Sequence, residues 1–228
     1  MQNLSSDYLS IRVVPSAATD APCKHLRLVF ASKELNGFSP QLVVVPKIST
    51  PILEPPEKPT EHDASQSGIF SQVVVGFDDW DVETNSPGGQ FVLTPTDDAF
   101  ISPLGKKLRL GGEHVLVVDS IPGNLALLKF DLSSFESRRI SSAVLRLYSK
   151  EKSPNGGTFH VLTNDADSDW DEGTVSWNNA PRSDNSPPVG QLTRVKAETW
   201  VDLDITSALD GYVGDFITVL IESTGKNR

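Results

Sequence analysis

Short segments in which apolar and polar residues alternate one by one recur along this chain, and that pattern narrows its fold more than any other feature. Leu9, Ile11 and Val13 alternate with Ser10 and Arg12, and Leu26, Leu28 and Phe30 alternate around Arg27. Leu128, Phe130 and Leu132 alternate with Lys129 and Asp131, Ala143, Leu145 and Leu147 with Arg146, and Val201, Leu203 and Ile205 with Asp202 and Asp204. A period of two sends successive side chains to opposite faces of a strand, so each segment has one face for a core and one for water, as in antiparallel sheets. Apolar runs at 41–45, 72–77 and 115–118 read as further strands. Only residues 206–213 carry a helical pattern, with Thr206 placed to cap it and Leu209 and Val213 forming a short apolar stripe. The 16 glycines and 16 prolines fit many strands joined by turns. The expected fold is all-β: an antiparallel β-sandwich of jelly-roll type with one short connector helix.

A composition break divides the chain. Five prolines between Pro46 and Pro59 stand in a polar background, too rich in missing N–H donors for a sheet interior. Residues 47–68 therefore read as an extended linker. Before it, residues 1–46 hold about three strands, too few to close a core alone; after it, residues 69–228 form the main domain. Asp7–Ser16 can be laid on Asp215–Thr224, aromatic on aromatic and hydroxyl on hydroxyl, with the inward apolar positions agreeing. Such an echo points to an internal repeat.

Five stretches together carry a family resemblance: Asp97–Ser102, Leu127–Ser133, Ile140–Tyr148, Trp170–Pro181 and Trp200–Thr206. In that order, over about residues 97–224, they resemble the DNRLRE family, grouped with disaggregatase-related domains and carbohydrate-binding module family 96. Members of the family end on a strand with a Ser-x-Glu signature and a last strand of the form Pro-x-Leu-x-Val. This chain stops at Arg228 before either, yet both occur near its start, at Phe30–Glu34 and Pro40–Val45. Residues 1–46 thus resemble the terminal strands of a preceding or strand-donating copy, and 69–228 the next copy without its end. Leu9, Ile11, Val13, Leu26, Leu28, Phe30, Leu42 and Val44 are the expected inward residues of these assembly strands, with Leu26–Phe30 and Gln41–Val45 pairing. An open sheet edge invites strand addition. The missing strands would come from later residues of a longer chain, from a neighbouring subunit or from this chain's own N-terminus.

Two functions follow from the resemblance. One is a non-catalytic structural module of an extracellular fibre, sheath or tandem-repeat surface protein, held together by strand complementation with other copies of itself. The alternative is a carbohydrate-binding module that recognises a polysaccharide. The charge balance, 20 basic against 30 acidic residues, repels phosphate backbones and anionic lipid, so nucleic acid is not an expected partner. No apolar run reaches the roughly 18 residues that span a bilayer, so membrane insertion is not expected. Met1–Ser10 lacks a basic stretch followed by an apolar one and does not read as a signal peptide, although the expected location is extracellular or on the cell surface. The lone Cys23 allows no internal disulfide framework, and Asn3-Leu4-Ser5 is a glycosylation sequon.

Catalysis finds no motif. His25, His62, His114 and His160 are scattered without ligand spacing, and no nucleophile elbow or phosphate-cradling loop occurs. No organic cofactor is expected. The acidic run 164–172 is the one notable charge cluster: if extended, Asp165, Asp167 and Asp169 project to one side, where they would either hold Ca²⁺ or form a solvated loop. Trp170 and Trp177 flank Thr174–Ser176, read as a strand, and are expected to anchor the core. Trp200 lies in register with Asp202, on the face opposite Val201, Leu203 and Ile205. An exposed indole beside a carboxylate is an arrangement that stacks a pyranose ring and holds its hydroxyls, and Tyr148 and Arg146 project from the polar face of another strand toward the same role; the alternative is that Trp200 covers a sheet edge or packs on the linker. Trp80 admits either a structural or a binding role.

Overall fold

The computed structural model describes residues 26–47, 89–135, 140–184 and 186–223. The expectations for Asn3, Leu9, Ile11, Val13, Cys23, His25, His62, Trp80, the strand at 72–77 and linker residues 48–68 lie outside the described residues. In chain order the strands are β1 (Arg27–Ala31), β2 (Gln41–Pro46), β3 (Phe91–Leu93), β4 (Asp97–Ile101), β5 (Val115–Asp119) and β6 (Leu125–Asp131). They continue with β7 (Ile140–Ser149), β8 (Thr158–Leu162), β9 (Pro188–Gln191), β10 (Thr199–Asp204) and β11 (Phe216–Glu222). One six-stranded sheet runs β3-β2-β7-β1-β5 with β10 on the other edge of β7; a five-stranded sheet runs β4-β6-β11-β8-β9. The chain is an all-β sandwich of two antiparallel sheets.

The alternation seen in the sequence decides how the sheets meet. Along β6, Ala126, Leu128 and Phe130 enter the core between the sheets, while Leu127 joins a second cluster on the outer side. Leu28, Phe30, Leu42, Val44, Leu145 and Leu147 meet Leu128, Phe130, Phe159, Val161 and Val219 across the gap. Each such side chain contributes on the order of 1.5–3 kcal/mol when fully buried. The second cluster gathers Ala99, Ile101, Leu127, Leu162 and Leu220 beneath Trp170 and Val175. The long loop between β8 and β9 therefore covers the outer face of the five-stranded sheet. The outer face of the six-stranded sheet presents Val92, Arg146, Tyr148, Trp200 and Asp202 to solvent in whole or in part.

β1 and β2 run one after the other along the same edge of β7. Phe30 lies opposite Ser149, and Gln41 to Pro46 lie opposite Arg146 to Ile140. The expected pairing of the two segments with each other is corrected by this register: each pairs with β7, β1 also with β5, and β2 also with β3. Leu28, Phe30, Leu42 and Val44 are buried in the core that residues 91–222 supply. Residues 32–40 leave this line as a loop closed by the Leu35 N–H on the Ser32 carbonyl and the Phe38 N–H on the Leu35 carbonyl.

Two local expectations are also corrected. The connector at 206–213 is a single 3-10 turn, Thr206–Ala208, with no side-chain cap. The Thr206 hydroxyl instead accepts the Ala143 N–H at 3.0 Å, fastening the turn to β7. Residues 171–180 form turns rather than a strand. The Val175 N–H reaches the Asp171 carbonyl at 2.8 Å, and Asn179 Oδ1 accepts both the N–H and the hydroxyl of Ser176 at 2.8 Å. Short polar side chains that bond the nearby backbone favour turns over ladders, which outweighs the β-prone Thr174 and Val175.

Candidate functional site

The antiparallel register of β10 on β7 sets Trp200 opposite Tyr148 and Asp202 opposite Arg146. All four point away from the core, because Val201, Leu203, Leu145 and Leu147 take the alternate positions. The rings of Tyr148 and Trp200 meet edge to face, with centroids 5.4 Å apart at 69°. On the other side of Tyr148 the 32–40 loop lays Phe38, with centroids 4.2 Å apart and the planes tilted by 37°. Phe38, Tyr148 and Trp200 thus make a half-buried aromatic row across the strands. Sequence reasoning missed Phe38, since nothing around it carries a periodic signal.

Polar groups border this row. Arg146 Nε donates to Asp202 Oδ1 at 2.8 Å, and the Arg146 guanidinium carbon lies 5.6 Å from the Trp200 ring centroid. Lys150 Nζ lies 6.0 Å from the Phe38 ring centroid. Arg146 and Asp202 keep 39% and 54% of their side-chain surface exposed, so the pair holds at most about 1 kcal/mol. The face offers π surface for apolar C–H groups, a fork of guanidinium donors and a carboxylate acceptor. All four residues assigned to sugar contact from the sequence come together here.

The acidic run is arranged otherwise. Asp165–Asp167 form a 3-10 turn capped by Asn164, whose Oδ1 accepts the Ala166 N–H at 3.4 Å, so the expected one-sided projection of Asp165, Asp167 and Asp169 from an extended strand is not formed. Asp165 and Asp169 line an open groove of about 550 Å³ with Lys129, Trp170 and Phe216. Trp170 is buried as expected, and its indole N–H donates to Thr218 Oγ1 at 2.9 Å. Trp177 packs partly buried at the edge of the same cluster, 4.2 Å from the Arg182 guanidinium carbon. His160 is buried, with Nδ1 2.7 Å from the Ser186 carbonyl and Nε2 2.9 Å from Glu222 Oε1, a structural tie between β8 and β11.

A second charge centre went unnoticed in the sequence. Lys33 Nζ lies 3.1 Å from Glu34 Oε1 and 2.8 Å from Glu172 Oε2, and the Lys33 N–H donates to Asp98 Oδ2 at 2.7 Å. Burial pushes the Asp98 carboxyl up to about 8; the negative Glu34 adds to this and the Lys33 N–H opposes it. Burial also pushes Glu34 up, but hydrogen bonds from Ser32, its own backbone and Lys33 outweigh it and hold that carboxyl below its ordinary value.

Known proteins bear on this geometry. A gellan lyase from a Bacillus species is 35% identical over 105 residues, which make up 44% of this chain and 4% of that protein. The chain therefore spans a small fraction of the length of this relative. The model of carbohydrate-binding module family 96 matches residues 89–227, which contain β3 to β11 and thus Tyr148, Arg146, Trp200 and Asp202. β1, β2 and Phe38 precede the matched region although they belong to the same sandwich. On a match that takes in more than half of its residues, the chain belongs to carbohydrate-binding module family 96.

Proposed function

We propose that this chain is a non-catalytic module that binds a polysaccharide on the open face of its six-stranded sheet, outside the cell. The observation that carries this is the aromatic row Phe38–Tyr148–Trp200 bordered by the Arg146–Asp202 pair. Sugar rings would stack on Tyr148 and Trp200, with hydroxyls bonded by Asp202 and Arg146. Lys150 beside Phe38 adds a cation, which suits a chain carrying carboxylates. Retention on immobilised acidic and neutral polysaccharides, with fluorescence quenching in solution, tests the reading. Trp200→Ala should weaken binding at least tenfold, the loss of about 1.4 kcal/mol or more, while circular dichroism shows the fold retained. Trp177→Ala, in the loop that covers the other sheet, should leave it intact. Equal binding by wild type and Trp200→Ala would remove the proposal.

A second reading, assembly through strands exchanged between copies, is supported by the position of β1 and β2. They precede the other strands of the sandwich in sequence, are joined to them through residues 48–88, and occupy one edge of β7. A neighbour's β1 and β2 would fill the same positions with the same register. Removing residues 1–46 should leave a protein that aggregates and that a peptide spanning 7–46 restores to solubility. A soluble, monomeric truncated chain would end this reading.

A further inference from the structure

Just beyond the end of β1, Lys33 and Glu34 meet Asp98 of β4 and Glu172 of the β8–β9 loop. One carboxylate oxygen from each of Glu34, Asp98 and Glu172 lies within 4.8 Å of the other two. Asp98 has 0% of its surface exposed, and although its Oδ2 accepts the Lys33 N–H, its Oδ1 is buried without a hydrogen-bond partner among the described residues. A carboxylate oxygen shut away from water without a donor is costly, and in folded proteins such an atom meets a donor, a water or a cation, or takes up a proton that a cation then displaces. Lys33 Nζ reaches Glu34 and Glu172, so one ammonium stands against two acidic side chains and the buried Asp98 carboxyl beside them.

We propose that this cluster is a binding site for a hard divalent cation of the Ca²⁺ kind, with Glu34, Asp98 and Glu172 as its ligands and Lys33 as the charge it displaces. Oxygens on opposite sides of Ca²⁺, each at about 2.3–2.6 Å, stand about 5 Å apart. Three oxygens within 4.8 Å of one another therefore fit one coordination sphere. Oxygen ligands without imidazole or thiolate select Ca²⁺, Mg²⁺ or Mn²⁺ over Zn²⁺ or Cu²⁺. Neutral oxygen is at hand in the Ser32 hydroxyl, 2.7 Å from Glu34 Oε2 and 2.6 Å from the Glu113 carbonyl. The close seat of Glu172 depends on Gly111, where a Cβ would come within 2.4 Å of the Glu172 carbonyl oxygen. The ligands come from three separate stretches, so the ion would bind the N-terminal strands to the rest of the sandwich. This centre is distinct from Asp165, Asp167 and Asp169 and from the aromatic face.

Calorimetric titration of the full chain with CaCl₂ after EDTA treatment, paired with melting curves, tests the proposal. A single saturable site and a melting temperature raised by several degrees in millimolar Ca²⁺ are expected. Glu34→Gln and Asp98→Asn should each weaken binding at least tenfold, while Lys33→Gln, by removing the competing ammonium, should tighten it by about tenfold. The pair Asp165→Asn and Asp167→Asn should change nothing. Should Asp98→Asn not fold, the partly exposed Glu34 decides the matter through Glu34→Gln. The proposal is overturned by absence of saturable binding, by full binding in Glu34→Gln, or by binding lost on changing Asp165 and Asp167.

Discussion

Lys129 Nζ lies 2.7 Å from Asp97 Oδ2 directly across the β6–β4 pair, with the two side chains only 13% and 15% exposed. The same ammonium donates to the Trp170 carbonyl and stands 5.2 Å from the centroid of that indole. Burial pushes Asp97 up, but the hydrogen bonds from Lys129, Thr96 and the Glu172 N–H outweigh it and hold the carboxyl below its ordinary value. A depressed carboxylate contributes stability above its unfolded pKa, about 3.9, and loses it as pH falls through the lower folded value. Urea unfolding should show declining stability below about pH 4, and Asp97→Asn should both remove part of that slope and lower stability at pH 7 by about 3 kcal/mol, as for a broken buried pair. A variant within 0.5 kcal/mol of wild type, taking about that as the scatter of neutral surface changes, would show that the pair is dispensable.

Asp98 has the opposite sign. With its folded value raised to about 8, the native state binds more protons than the unfolded chain once pH exceeds the unfolded value, so stability falls as pH rises toward and through 8. In EDTA the melting temperature should be higher at pH 5 than at pH 9, and Asp98→Asn should flatten this alkaline decline. An equal decline in the variant would assign it to other groups.

Trp170 both fills the outer cluster and bonds Thr218 Oγ1. Trp170→Phe keeps an aromatic ring but loses the indole donor and should cost about 1 kcal/mol, whereas Trp170→Ala should cost about 3–5 kcal/mol. Chemical denaturation followed by circular dichroism measures both. Similar losses in the two variants would mean that the hydrogen bond, not the packing, dominates.

Phe30 of β1 is wholly buried between the sheets. Phe30→Ala should destabilise the chain by about 3–5 kcal/mol in a single cooperative transition. A loss below 1 kcal/mol, or a separate transition for the N-terminal strands, would show that β1 is not integral to the core; about 1 kcal/mol is the average cost of an arbitrary substitution.

The period-two pattern was sufficient to place most side chains on their faces, because strand geometry is local. The alternation at 201–205 put Trp200 and Asp202 opposite Val201 and Leu203, and at 143–147 it put Arg146 opposite Leu145 and Leu147, as the sheets have them. The family, too, was legible from the order of motifs. What the sequence alone determined was therefore the all-β class, the inward residues and the two halves of the aromatic face. Joining the halves needed the register of β10 on β7, a pairing between distant segments. Phe38 entered only because the 32–40 loop folds back over Tyr148. The carboxylates show the same division. Asp165, Asp167 and Asp169 are close in sequence and drew attention, yet a turn capped by Asn164 takes up Asp165 and Asp167. Glu34, Asp98 and Glu172 are far apart in the chain, and only the meeting of the 32–40 loop and the β8–β9 loop at β4 brought them together. Side-chain direction follows from neighbouring residues, whereas the meeting of remote charges depends on which strands pair, and that is decided by burial of the whole core.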